Sequence, residues 1–130
     1  MSRKSRKFTD VELQFMKVLW EKGEAAPDEI DEALSNIGRN LTYGTIRNML
    51  VVMIEKGYVA RRKQGKVYLY KAIVEENEAR KTMLRDMLSR VFDGSESSMV
   101  ATLLSSNDVH ENELDEIRRL VDDKKKGDRK

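Results

Sequence analysis

The sequence predicts a mainly α-helical fold with one small β-hairpin. Apolar residues recur at helical spacing in six stretches of the 130-residue chain. Two short β-prone runs, YVARR and VYLYKA, flank a turn that contains a glycine. From about residue 75 onwards the apolar spacing is helical only. We therefore expect helices, one hairpin, and then helices again.

The charge distribution and the length of the chain limit the classes of protein to which it can belong. The net charge is +2, but residues 1–72 carry 14 Lys and Arg against 9 Asp and Glu, whereas residues 73–130 carry 11 against 14. A basic first half suits a polyanionic partner. The length allows one domain, or one small domain with an oligomerisation segment.

Composition also excludes several kinds of site. The absence of cysteine excludes disulfides, thiolate metal sites and cysteine nucleophiles, and it fits a cytoplasmic protein. No apolar run approaches the roughly 20 residues that a membrane-spanning helix needs. The basic N-terminus is not followed by the apolar region of a secretory signal. We therefore expect a cytoplasmic protein with no membrane segment.

The chain begins with a basic flexible arm, residues 1–7, which contains Arg3, Lys4, Arg6 and Lys7. Two interpretations remain open. The arm is either a disordered, solubilising tail, or a segment that contacts phosphates or enters a DNA minor groove.

Two helices follow the arm. The first is predicted over 10–22, because Thr9 and Glu12 have the spacing of a capping box and a glycine follows the last turn. The second is predicted over 27–36, because Pro27 suits a first helical turn. A short turn then leads to a third helix, which is the arrangement of a helix-turn-helix.

The third helix, predicted over 42–56, is the candidate recognition helix. Its apolar residues form one stripe at helical spacing: Ile46, Met49, Leu50, Met53 and Ile54. The opposite face has small and hydrogen-bonding residues in its first two turns, which suits a helix laid N-terminus first into a DNA major groove. A merely solvated face is the alternative. The candidate DNA-binding residues here are Thr42, Tyr43, Gly44, Thr45, Arg47 and Asn48.

The later turns of this helix leave alternatives open. Val51 and Val52 either touch thymine methyl groups or are covered by packing, and Tyr43 either donates to a phosphate or packs. Glu55 would repel phosphates, so we expect the far end of the helix to leave the groove.

The hairpin is predicted from two strands, 58–62 and 67–72, with Gly65 supplying the positive φ of the turn. Cations cluster around its tip: Arg61, Arg62, Lys63 and Lys66. A solvated strand edge also carries Lys and Arg. Because these four follow a candidate recognition helix directly, we interpret the hairpin as a wing that contacts the DNA backbone. Residues 8–73 are thus predicted to form a winged helix-turn-helix DNA-binding domain.

Residues 74–126 are predicted to form a helical dimerisation region, with helices over about 75–92, 96–105 and 111–125. Three short helices do not easily enclose a core of their own. They either fold back on the first half or pair with a second copy, and a two-fold dimer would match a two-fold operator. The candidate dimerisation residues are Met83, Leu84, Met87, Leu88, Val91, Met99, Val100, Leu103, Leu104, Leu114, Ile117 and Leu120. The chain is expected to fray from about residue 122 and to end in a polar tail, 127–130.

Catalytic and metal chemistry have little support in the sequence. The single histidine, His110, stands beside Glu111 and Glu113, which is the start of a helix more readily than a metal site. There is no Cys-His or Ser-His pair with a supporting acid, no phosphate-cradling glycine loop and no paired metal ligands. We predict no enzyme, no cofactor and no metal.

Five stretches in this order carry a family resemblance: FTDVELQFMKVLW, LTYGTIRNMLVVMIEKGYV, KVYLYKA, RVFDGSESSMVATLL and ENELDEIRRL. Through them, residues 8–121 resemble the BlaI/MecI/CopY family of penicillinase-type repressors. The resemblance implies a cytoplasmic homodimer of bacterial type that represses transcription. Each winged helix would bind half of a dyad-symmetric promoter operator, and the C-terminal helices would hold the dimer. It also implies that Gly44, Thr45, Arg47 and Asn48 read bases.

The sequence departs from members of this family in the recognition helix, at the cleavage site and in its lack of cysteine. A lysine common in the relatives is Gly44 here, and an arginine is Val52, so the resemblance implies a different preference for DNA sequence. Relatives induced by β-lactams are cleaved at an Asn-Phe bond, where this chain has Thr102-Leu103. The cysteine motifs of copper-responsive relatives are absent. The inducing signal, whether a ligand, a partner or a protease, stays open.

A second function remains an alternative at this point. The chain would then be a dimeric winged-helix module for protein–protein interaction, without specific DNA readout. Its basic tip would be incidental, and binding through apolar surfaces would not weaken steeply with salt.

Overall fold

The computed structural model describes residues 7–106 and 108–128. It confirms a mainly helical fold with one antiparallel hairpin among these residues. The elements are α1 Asp10–Lys22, α2 Pro27–Asn36, α3 Tyr43–Glu55, β1 Val59–Gln64, β2 Val67–Ala72, α4 Glu76–Phe92, α5 Glu96–Leu104 and α6 Glu111–Asp128. The chain divides into two units, Met1–Arg85 and Asp86–Lys130.

The start of α1 has the predicted capping box. The Thr9 hydroxyl accepts from the Glu12 backbone N–H at 3.1 Å, and the Glu12 carboxylate accepts from the Thr9 N–H at 2.9 Å. These bonds satisfy amide groups that have no partner within the helix. Gly23 ends α1 with a φ of +82°, in the left-handed region that favours glycine.

The first unit has one core, formed by α1, α2, α3 and the hairpin. The predicted stripe of α3 faces it: Ile46, Leu50 and Met53 are fully buried, while Met49 and Ile54 pack at its edge. From the other elements the core takes Phe15, Met16, Val18, Leu19, Ala25, Ile30, Leu34, Tyr58, Val59, Tyr70, Val74 and Ala79. Burying this stripe fixes which face of α3 stays outside.

The hairpin is longer than predicted and is joined to the α1–α2 connection. Its register pairs Val59 with Ala72 and Gln64 with Val67. Gly65, with a φ of +67°, is therefore the first of two turn residues, where a type II′ turn needs glycine. On the outer edge of β2, Ala25 and Tyr70 exchange two backbone hydrogen bonds of 2.9 and 2.8 Å.

The first half of α4 belongs to the first unit. Ala79 is fully buried there, and Met83 packs against the same core. The indole N–H of Trp20 donates to the Val74 carbonyl at 2.9 Å, which fixes the chain just before α4. The division between units thus falls at 85–86 rather than at 73–74. Met83, which the sequence assigned to the dimer surface, is partly buried against the core of its own unit.

The second unit contains the rest of α4 together with α5 and α6. Of the residues whose burial is described between 86 and 127, none is buried. The prediction of fraying from residue 122 was wrong, because α6 continues to Asp128. Arg119 pairs with Asp123 at 2.8 Å one turn on, and Lys125 and Lys126 lie near the negative end of the helix dipole.

None of the helices in residues 7–106 and 108–128 combines the length and the apolar character that crossing a bilayer requires.

Candidate nucleic-acid interface

Helix α3 begins at a cap formed by two threonines. The Thr42 hydroxyl accepts from the Thr45 backbone N–H at 3.1 Å and donates to the Thr45 hydroxyl at 2.9 Å. This pair orders the first turn before any ligand is present. Both residues are exposed, so the Thr45 hydroxyl is oriented by the cap and remains accessible from outside.

The outer face of α3 is polar and exposed through its first two turns. Gly44, Thr45, Arg47 and Asn48 are all exposed, as the sequence predicted for a face opposite the apolar stripe. The Arg47 guanidinium lies 5.7 Å from the centre of the Tyr43 ring, and a cation over an aromatic face is held there weakly. Tyr43 is itself 47% exposed, so the ring is a surface support for Arg47 and not a core residue.

A long-range ion pair holds the far end of α3 against α1. The Lys56 ammonium lies 2.6 Å from the Glu12 carboxylate, whose residue is only 2% exposed. Burial raises the pKa of Glu12, but the hydrogen bonds from Lys56 and from the Thr9 N–H outweigh it and lower the pKa below 4.5. The same carboxylate thus caps α1 and anchors the end of α3.

Glu12→Gln is expected to lower the free energy of unfolding by about 1–3 kcal/mol at pH 7, because a charge-assisted bond is lost at a buried site. A lowered pKa means that this contribution is present above the ordinary pKa and is lost as the pH falls through the lowered one. The gap between the two proteins in urea unfolding should therefore shrink below pH 4.5. The exposed Glu21→Gln is the control, and parallel stability curves for wild type and Glu12→Gln would contradict the prediction.

The four wing cations differ in their surroundings. The Arg61 guanidinium lies 4.1 Å from the centre of the Tyr68 ring. Arg62 makes a two-pronged ion pair with Glu24, at 2.7 and 2.9 Å. Lys63 and Lys66 are exposed, and within the described ranges no ion pair is recorded for either. The sequence grouped all four at the tip, but among the described residues only Arg62 is paired with a carboxylate, and Arg61, Lys63 and Lys66 keep their charge available.

The beginning of α3 and the wing share one cleft. It has a volume of about 270 Å³. Its lining residues are Ala26, Pro27, Asp28, Tyr43, Arg47, Lys66, Val67, Tyr68 and Tyr70. The fold thus brings Tyr43 and Arg47 of α3 beside Lys66 of the wing, whereas Arg61, Arg62 and Lys63 lie outside the cleft lining. Of the basic arm, Arg3, Lys4 and Arg6 lie outside the described residues, and Lys7 is exposed.

Sequence reasoning missed the partners that position this interface. Glu24 neutralises Arg62 from 38 positions away, and Glu12 binds Lys56 from 44 positions away. The amide oxygen of Gln14 likewise accepts from Arg39 at 2.7 Å and ties the turn before α3 to α1. The capping-box spacing identified Glu12 as a local cap, but no local pattern indicates its second role.

Metal binding has no support from the described residues. No group of three or more His, Asp or Glu side chains in the described ranges is placed to hold a metal ion. His110 is exposed at the start of α6, and its backbone carbonyl accepts from the Leu114 N–H at 3.0 Å.

Comparison with known proteins agrees with this geometry. The family model described as penicillinase repressor matches residues 8–123. The methicillin resistance regulatory protein MecI of Staphylococcus aureus strain Mu50 is 25% identical over 124 residues, covering 95% of this chain and all of that protein. The penicillinase repressor of Bacillus licheniformis is 27% identical over 123 residues, covering 95% of each chain.

A solved structure resembles part of the chain. It is the solution structure of the DNA-binding domain of the repressor BlaI, with a TM-score of 0.50 and 29% identity, covering 60% of this chain and 93% of that one. The chain therefore belongs to the penicillinase repressor family, a family of winged-helix, DNA-binding transcriptional repressors.

Proposed function

We propose that this protein is a homodimeric repressor that occupies a dyad-symmetric promoter operator and so excludes RNA polymerase. In each protomer, α3 enters the major groove N-terminus first and the wing contacts the adjacent DNA backbone. The observation that supports this most strongly is the exposed polar start of α3, with Arg47 and Lys66 on the walls of one cleft. A face of this kind can combine hydrogen bonds to base edges with cationic contacts to phosphates.

Homodimerisation is proposed from the second unit. Its apolar side chains are abundant, yet none of those described there is buried, so their burial requires a partner surface. Leu84, at the end of the first unit, adds to this set with an exposed fraction of 55%. The proposed dimer surface comprises Leu84, Met87, Leu88, Val91, Met99, Val100, Leu103, Leu104, Leu114, Ile117 and Leu120. A two-fold dimer would present two copies of α3 to two half-sites.

The proposal is tested by the salt dependence of DNA binding. Full-length protein is titrated onto a labelled duplex at several salt concentrations, and log K is plotted against log[salt]. Several phosphate contacts should give a steep negative slope, because each neutralised phosphate contributes about −0.9. A shallow slope would contradict the proposal and favour a protein–protein module that binds through apolar surfaces.

Two wing variants should separate a free cation from a neutralised one. We expect Lys63→Gln to reduce the magnitude of the salt slope by about 0.9 per bound protomer, because Lys63 has charge available for a phosphate. Arg62→Gln should change the slope less, because Glu24 already occupies the Arg62 guanidinium. The measurement is the slope for each variant on one duplex. A larger change for Arg62→Gln than for Lys63→Gln would show that Arg62 leaves Glu24 to bind DNA.

A further inference from the structure

Two valines in the third turn of α3 are exposed although the helix has a well-formed apolar side. Val51 is 47% exposed and Val52 39% exposed, whereas Ile46, Leu50 and Met53 on the opposite side are fully buried. Within the described residues, the core therefore leaves both valines uncovered. The sequence alone left packing as an alternative role for these two residues. Packing within the described residues does not explain why valine stands at either position.

The two valines continue the polar face of the first two turns. Residues three and four positions apart are neighbours on a helix surface, so Asn48 lies next to both valines and also next to Thr45. From Thr45 to Val52 the helix rises about 10 Å, at 1.5 Å per residue. That length is about three base-pair steps of B-form DNA, at roughly 3.4 Å each. A helix whose first turns lie in the groove can thus place both valines over bases as well.

The chemistry of the groove limits what an apolar side chain can recognise there. Of the four bases, only thymine presents a methyl group in the major groove, and apolar contact with that methyl distinguishes it.

The surroundings of the valines favour DNA over an apolar protein partner. Their exposed neighbours three or four positions away on α3 are Arg47, Asn48 and Glu55. The valines thus stand among polar and charged side chains, of which the centre of a protein–protein interface is depleted.

The opposite charges of the helix ends define how far this contact extends. Arg47 precedes the valines and Glu55 follows them on the exposed side. The first attracts the phosphate backbone and the second repels it. The pair therefore marks the last turn of α3 that can stay close to DNA.

We propose that Val51 and Val52 are specificity-determining residues that contact thymine methyl groups in each half-site. This inference rests on the proposed function, since it requires α3 in the major groove. The operator then contains thymine opposite the third turn of α3. A polar side chain in this turn would not favour thymine through contact with its methyl group. Thr45, Arg47 and Asn48 would contact the base pairs on the other side of this thymine.

The test removes single methyl groups from the DNA. Bound duplexes are first selected from a random pool with the full-length protein. Each thymine of the enriched half-site is then replaced by uracil, which keeps every hydrogen bond and lacks only the methyl. We expect at least one replacement to weaken wild-type binding roughly four-fold per half-site, the value of burying one CH₂ group.

Valine variants then test whether the two valines contact that thymine methyl group. Val51→Ala and Val52→Ala, singly and together, are compared with Val121→Ala in α6, which alters a helical valine that is 52% exposed and lies outside α3 and the wing. In the double variant, the uracil duplex should bind within about two-fold of the thymine duplex, because the apolar partner is gone. Val121→Ala should keep the wild-type sensitivity. Alanine favours helix formation, so circular dichroism should be unchanged.

The outcomes separate this inference from the proposed function. If no sequence is enriched, the proposed function fails and the inference fails with it. If a site is enriched but uracil has no effect, or the double variant keeps the full uracil effect, the valine assignment alone is overturned. An effect that disappears only in the valine variants supports it.

Discussion

Replacing Leu103 and Leu104 together with glutamate is expected to turn the proposed dimer into a monomer and to lower its affinity for a dyad operator by about 100-fold or more. Both leucines lie in α5 and are 55% and 42% exposed in the single chain, so the substitution removes no core contact of its own protomer. Four carboxylates would meet across the two-fold interface without partners. A monomer also loses the gain of binding two linked half-sites, which is typically 10²–10⁴-fold.

Sedimentation velocity measures the change of mass, and fluorescence anisotropy measures operator affinity. Ser97→Glu is the matched control, because it adds a charge to an exposed polar position of the same helix and should leave both quantities unchanged. If the double-leucine variant remains dimeric, α5 is not part of the dimer interface. A monomeric variant that keeps wild-type operator affinity would overturn the link between dimerisation and DNA binding.

Asn48→Ala is expected to cost about 1–3 kcal/mol of operator binding per half-site, roughly a 5- to 150-fold loss of affinity. Asn48 lies near the middle of the exposed face of α3, between Thr45 and the valines. Its carboxamide can donate and accept at once, which matches the edge of adenine in the major groove. Because the substitution removes no charge, binding to unrelated DNA should be unchanged.

Affinities for the selected operator and for a scrambled duplex of equal length give the specificity ratio. Asn36→Ala at the end of α2 is the control, since it changes another exposed asparagine outside the interface. The ratio should fall for Asn48→Ala and stay constant for Asn36→Ala. An equal loss of affinity for both duplexes would show that Asn48 contacts the DNA backbone. No loss of affinity for either duplex would show that Asn48 lies outside the interface.

The local structure of this chain was largely predictable because its signals are local. The Thr9–Glu12 capping box and the Thr42 cap fixed where α1 and α3 begin, and the bounds of α1 and α2 agree with the predictions. The spacing of Ile46, Leu50 and Met53 predicted the buried side of α3, because only a 3.6-residue period brings them together. The family resemblance agreed with these patterns and with the matching family model.

What the sequence did not predict depends on contacts between distant segments. The bridge from Ala25 to Tyr70 and the pair from Glu24 to Arg62 join segments that only the fold brings together. Met83 has the spacing of a dimer residue, yet it packs on the core, because periodicity identifies an apolar side and not the surface that covers it. The exposure of Val51 and Val52 was undecided for the same reason.

In the proposed function, two copies of α3, held by a dimer, recognise the two halves of one operator. We would test this first by selecting bound duplexes from a random DNA pool with full-length protein at moderate salt. We expect an enriched site with dyad symmetry, whose half-site centres lie about 10 base pairs or a multiple of that apart. Enrichment of a single asymmetric half-site, or of no sequence at all, would contradict it.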